Sequence, residues 1–193
     1  MRKLITGVAL AALIALPSLA SASSWVIDGS HSSVVFKVRH FFTKVAGNFD
    51  EISGEIEFDP EAPEKGSVSV TIPMSSLDTN NEKRDGHLMS PDFFDVEKNP
   101  NMTFKSTKFR QTDDGLKVDG MLNMRGVDKP VTLNVEFLGA GPGMGGPVAG
   151  FSITAKINRM DWGVSWNKAL DHGGTVLSED VDIQIDLEAG AKG

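Results

Sequence analysis

The chain has 193 residues, no cysteine and a formal charge of −7. Without cysteine there is no disulfide framework, no thiolate metal site and no thiol nucleophile. An acidic surface repels phosphate backbones, which argues against a nucleic-acid partner and against membrane binding by charge alone.

The first residues read as an export signal. Met1-Arg2-Lys3 is a short basic start, Leu4 to Leu16 is apolar, Pro17 breaks the run, and Ala20-Ser21-Ala22 supplies the small-x-small pattern of a cleavage site. The apolar run is shorter than the ~20 residues a spanning helix needs. Residues 1–22 are therefore expected to be removed, leaving a mature periplasmic chain that starts at Ser23. Losing Arg2 and Lys3 takes the formal charge to about −9. The remainder, residues 23–193, is expected to be a single domain, since roughly 170 residues suffice for one full core.

From there the dominant pattern has a period of two residues. Val34, Phe36, Val38 and His40 share one face of a first strand, opposed by Val35, Lys37 and Arg39. Ile52 to Phe58, Val68 to Ile72 and Met102 to Ser106 alternate in the same way. Between the third and fourth strands the alternation stops. Residues 78–95 read as a short helical insert, with Asn80 or Asn81 as cap, a turn through Glu82 to Leu88 weakened by Gly86, and a second turn opened by Ser90-Pro91-Asp92. Four more strands follow over Lys117–Met124, Val131–Phe137, Phe151–Ile157 and Val181–Leu187. Asp113-Asp114-Gly115, Arg125 to Pro130 and the run Gly139 to Gly150 carry turn chemistry.

Eight strands with one dry face each must bury it, either by closing on themselves or by stacking as two sheets. Closure also removes the vulnerable edges. The expectation is an all-β, eight-stranded antiparallel barrel with the helical insert across one open end, and a sandwich is the second choice. A barrel of that size either fills itself or holds one small ligand.

The polar inventory offers little catalytic chemistry. His31, His40, His87 and His172 are scattered without metal-ligand spacing, so no metal site is expected. Gly163-Val164-Ser165-Trp166 is only half of a nucleophile elbow, and Asp59, Glu61 and Glu64 flank prolines in a surface loop. His40 shares its dry face with Phe36 and Val38, so it is either a satisfied core histidine or a polar anchor at a cavity rim. His87 falls on one helix face with Lys83 and Arg84, a cluster able to hold a carbonyl, phosphate or quinone oxygen. The chain is rich in phenylalanine and methionine and has no tyrosine. Phe36, Phe42, Phe104, Trp162 and Trp166 are candidates for the barrel interior or its mouth, with Leu88, Met89, Phe93 and Phe94 of the insert as a plug. An interior of this kind would accept an apolar guest; at ~0.8 kcal/mol per methylene, a sixteen-carbon chain gains roughly 13 kcal/mol gross. Ordering and lost translation take back much of that.

Several ordered motifs resemble one family. Trp25, Asp28, His31-Ser32, Phe36, Val38 and His40 are similar to the opening motif of the YceI-like, polyisoprenoid-binding proteins. Arg84-Asp85-Gly86-His87-Leu88, Asp92-Phe93-Phe94-Asp95-Val96 and Pro100 resemble its central signature, and Arg159, Asp161, Gly163, Gly173-Gly174 and Ser178 its last third. The resemblance implies a lipocalin-like barrel, exported to the periplasm, that binds a long isoprenoid, an isoprenoid quinone or a similar amphiphile without established catalysis and without a cofactor beyond that lipid. On that reading a headgroup lies near His40, Arg84 or His87, and the tail runs along Phe36, Val38, Phe104 and Trp166. The competing reading is an enzyme acting on a lipid headgroup through His40 or His87; a third is a quinone-handling partner of a membrane redox protein. A homodimer is compatible with a barrel of this size.

Overall fold

The computed structural model describes residues 23–171 and 173–192. The expected export signal and His172 lie outside the described residues. The described residues form ten strands: β1 (Ser23–His40), β2 (Thr43–Phe49), β3 (Ser53–Phe58), β4 (Ser67–Pro73), β5 (Leu77–Asp78), β6 (Asn101–Thr112), β7 (Gly115–Met124), β8 (Val127–Gly143), β9 (Gly146–Asn158) and β10 (Leu177–Ala191). All pairings are antiparallel, and β1 pairs with β10. The ring β1-β3-β4-β6-β7-β8-β9-β10 is thereby closed, and these are the eight strands that the alternation predicts. A sandwich is not formed.

The two additional strands come from sharp bends. β1 is long enough to pair with β3 through Ser23–Val26 and with β2 through Val34–His40. β2 and β3 therefore follow one another along the same side of β1. β5 pairs with β2 in the same manner, after β4 has paired with β3.

Four register shifts interrupt the ladders, and two of them re-phase the alternation. Between Asp28 and Ser33 the β1–β10 ladder slips, so Trp25 and Ile27 are buried at odd numbers while Val34 is buried at an even one. Between Ser106 and Lys108 β6 bulges, which turns Phe109 into the core along with Phe104. A bulge adds one residue to one strand and flips the faces beyond it. The other two lie between Phe137 and Gly139, where Leu138 is left on the surface, and between Val38 and His40.

Two stretches with turn chemistry are mostly strand. Only Arg125 and Gly126 leave the ladder between β7 and β8, both at positive φ (53° and 74°), as a two-residue hairpin turn of the I′ kind requires. Likewise only Met144 and Gly145 lie between β8 and β9, and the glycines on either side extend both strands. The backbone ladder satisfies those residues although their side chains bury nothing. The insert carries α1 (Glu82–Met89), capped by Asn81, whose side chain accepts from the Arg84 amide at 3.0 Å. Its second turn, Pro91–Phe94, stays a turn.

The strand ends sort the loops onto two rims. One rim carries the β1–β2 turn, α1 with its following loop, the Arg125-Gly126 turn and the segment from Arg159 to Val176; the other carries the β3–β4, β6–β7 and β8–β9 turns. At the second rim Phe58 packs against Phe109, Phe137 and Phe151 with ring centroids 5.1–6.5 Å apart. That cluster closes the far end.

Candidate functional site

The inward faces of the strands do not fill the barrel. They enclose a cavity of about 410 Å³ lined by every strand of the closed ring, within the size range of small-molecule sites. Its wall is aliphatic and aromatic from Phe58 and Phe109 at the closed end to Leu177 and Val181 near the other. The polar side chains on it, among the described residues, are His40, Thr79, Arg84, His87 and Arg159. All five sit at the helix-bearing rim.

Parity explains the placement of the strand residues. Phe36, Val38 and His40 continue the inward face of Val34, and Phe104 faces in from β6. Phe36 leans over Gly47 and meets Phe49 at 5.6 Å. The insert supplies the rim: Arg84, His87, Leu88 and Phe94 all touch the cavity, as does the neighbouring Phe93. Met89 packs against the core and is not on the wall, and Lys83 is exposed. Trp166 reaches the wall from the loop before β10.

Two expected site residues are elsewhere. Phe42 is 99 % exposed at the tip of the β1–β2 hairpin, because a two-residue turn points its second side chain away from both strands. Trp162 is only 2 % exposed but lies in packed core beside the cavity, where its indole Nε1 donates to the Leu122 carbonyl at 3.0 Å. That bond fixes the ring as structure and keeps it off the wall.

The rim is tightly held. Arg84 donates from Nε to the Thr79 hydroxyl and from Nη2 to the Thr79 carbonyl, each at 2.6 Å, and Asp85 accepts from the Thr79 amide at 3.0 Å. His87 Nε2 lies 3.0 Å from an Asp92 oxygen, and its ring stands edge-on to both Phe93 and Trp166 with centroids 5.0 Å away. Phe93 and Trp166 meet at 5.2 Å. A histidine and two aromatic rings thus form one side of the opening. His40 packs edge-on against Phe41 at 4.6 Å.

In the sequence Arg159 counts only toward the family resemblance and not as a site residue, yet it continues the inward series Phe151, Ile153, Ala155 and Ile157 onto the rim. It is 5 % exposed. Its guanidinium donates to the carbonyls of Ser178 (2.9 Å), Val164 and Trp166 (3.0 Å), while Nη2 has no partner. No carboxylate forms an ion pair with it among the described residues, and burial pushes its pKa below the usual guanidinium range, with Glu179 opposing weakly from a distance. The residue pins the loop that carries Trp166 to the start of β10.

One cluster of metal-ligand types lies away from the cavity. Asp28, His31 and Glu188 bring ligand atoms within 4.8 Å of one another at the β1 bulge. Asp28 is held at about 2 by hydrogen bonds from Ser30 and His31, and His31 is raised by Asp28 in turn. Of the three only His31 is exposed, and the Asp28–His31 contact braces the bulge from outside the barrel.

Residues 25–189 match the model of the YceI-like domain. The chain belongs to the YceI-like family. A UPF0312 protein of Vibrio cholerae is 40 % identical over 169 residues, covering 85 % of this chain and 89 % of its own. Among solved structures, the YCEI protein of Campylobacter jejuni superposes with a TM-score of 0.66 at 33 % identity, covering 79 % of this chain and 87 % of that one. A polyisoprenoid-binding domain from Saccharophagus degradans shares the fold at a TM-score of 0.61 and 16 % identity, over 89 % and 99 % of the two chains.

Proposed function

We propose that this YceI-like protein is a periplasmic carrier that holds one long apolar lipid, of polyisoprenoid, isoprenoid-quinone or similar type, inside the barrel. The observation that carries the reading is the polarity of the cavity: an apolar tunnel closed by phenylalanines at one end, with its charged and hydrogen-bonding groups gathered at the other. Such a wall favours a guest whose tail is buried and whose head stays at the rim, since each unpaired polar group carried deep into the tunnel costs several kcal/mol, in the range ~2–7. Burial of the tail supplies the favourable term. The polyisoprenoid-binding domain that shares the fold supports the choice of guest.

A binding role is favoured over catalysis on the headgroup. His87 is engaged by Asp92 and stands edge-on to two rings, and among the described residues no nucleophile is oriented toward His40 or His87 by a hydrogen bond. If the guest is a quinone, a membrane redox protein is the natural exchange partner.

The test is mass spectrometry of an organic extract of the purified, exported protein. One isoprenoid or quinone per barrel is expected. An empty extract, together with failure to take up prenyl alcohol from detergent solution, means that the tunnel is not a lipid site.

A further inference from the structure

The β1–β2 hairpin ends in two aromatic residues that do not join the core. Phe42 is 99 % exposed and Phe41 39 % exposed. Phe41 also has a φ of 51°, a left-handed conformation that bulky side chains rarely adopt, and its amide is fixed by the Val176 carbonyl at 2.9 Å. A costly conformation that displays a costly side chain points to a use outside the folded core. The hairpin that carries the tip is itself basic, although β10 beside it sets Asp182 opposite Lys37. Residues 34–49 contain Lys37, Arg39 and Lys44 and no carboxylate, in a chain whose formal charge is −7. Lys44 is paired with Asp182, whereas the Arg39 guanidinium lies on the Phe41 carbonyl at 2.6 Å, at the base of the tip.

Position supplies the rest. The tip stands on the rim that carries the cavity opening, and its neighbour His40, edge-on to Phe41, is part of the cavity wall. We infer that Phe41 and Phe42 form a wedge that enters the interfacial layer of a phospholipid membrane, with Arg39 on lipid phosphates, so that the guest passes between bilayer and barrel without crossing open water. Aromatic side chains suit the boundary between headgroup and acyl chain, and guanidinium suits phosphate. The overall negative charge keeps the attachment transient, since the rest of the surface is repelled. The other fully exposed apolar tip, Met144, lies on the closed rim, is flanked by glycines and has no cation within five residues, so it serves as the control. This inference rests on the carrier reading above for its purpose, but its test does not.

The test is flotation of the purified protein with vesicles of phosphatidylethanolamine and phosphatidylglycerol. Wild type is expected to float with the vesicles, Phe42→Ser to lose roughly tenfold in partitioning, and Met144→Ser to match wild type. Arg39→Gln should weaken flotation and flatten its salt dependence. Because Phe42 touches neither core nor cavity, Phe42→Ser should take up prenyl alcohol from detergent as wild type does, yet acquire it from vesicles about tenfold more slowly. Equal flotation of wild type and Phe42→Ser, or no flotation of wild type, overturns the inference. So does a Phe42-dependent dimer in sedimentation with vesicle binding unchanged, which would assign the tip to a second copy. A barrel that floats but yields no lipid and takes none from detergent leaves the wedge standing and removes the carrier.

Discussion

Replacing Arg159 by Met tests whether a buried guanidinium without an ion-pair partner is what holds the rim together. The side chain makes hydrogen bonds to three carbonyls, those of Ser178, Val164 and Trp166. Hydrogen bonds from a charged donor contribute about 1.5–3 kcal/mol each, roughly 7 kcal/mol in all at the middle of that range. Against this stands the desolvation of the guanidinium, several kcal/mol, which Met does not incur. The Val164 carbonyl is buried with its residue, while those of Trp166 and Ser178 are half-buried and can recruit water after the change. The balance is a loss of about 2–3 kcal/mol, or roughly 4–12 °C in Tm for a domain of this size. Thermal unfolding followed by circular dichroism measures it. Limited proteolysis supplies a second readout, since the segment before β10 loses its anchor to Arg159 and cleavage after Lys168 should accelerate. Arg159→Lys should recover little, because an ammonium cannot span three carbonyls in the geometry of the planar fork. A Met variant as stable as wild type, with unchanged cleavage, would falsify the anchor role and mean that desolvation cancels the three bonds.

Four further outcomes are expected. Phe36→Asp and Trp166→Asp each place a carboxylate on the apolar wall and should abolish retention of extractable lipid; full retention in both would remove the proposed tail path. Gly120→Ala should destabilise by about 1–3 kcal/mol, read from the urea midpoint, because the new Cβ would lie 2.3 Å from the Phe104 ring and 2.6 Å from the Lys105 carbonyl. Gly86→Ala meets nothing within 4 Å on α1 and should instead stabilise by roughly 0.5–1 kcal/mol, a contrast that the same titration resolves. Asp119 is held at about 2 by hydrogen bonds from Arg110 first and Thr132 second. Its folded pKa lies below its unfolded value near ~3.9, so its stabilisation is present above that pH and is lost as pH falls toward 2. Asp119→Asn should flatten the decline of Tm across that window, and an unchanged acid limb would show that the pair contributes nothing.

Much of the barrel was legible from local chemistry, because alternation is a property of the chain itself. The eight strands of the ring each carry their own period-two pattern, and the Asn81 cap marks the start of α1 without reference to any neighbour. What misled were positions where the ladder departs from simple alternation. Nothing in Gly29 to Ser32 says that β1 slips there, yet that slip moves Trp25 and Ile27 onto the inner face. The glycines of residues 139–150 read as loop because strand propensity comes mostly from side-chain packing, and here the backbone ladder alone extends β8 and β9.

The site divides along the same line. Phe36, Val38, His40 and Phe104 follow from parity, and Arg84, His87, Leu88 and Phe94 from their place on an insert between strands. Phe42 and Trp162 show the limit, since aromatic character marks a residue as costly to expose but not which surface it meets. One ring stands in solvent at a hairpin tip and the other is sealed behind the Leu122 carbonyl. The sequence by itself determined that there would be eight one-faced strands with an acidic, polar exterior, which either closure or stacking could bury. Only the tertiary structure decided that the faces stop short of filling the barrel, that phenylalanines close one end, and that Arg159 joins His40, Arg84 and His87 at the other. Those outcomes depend on how far apart opposing walls stand, a distance set by ring closure and bulges together and carried by no single segment.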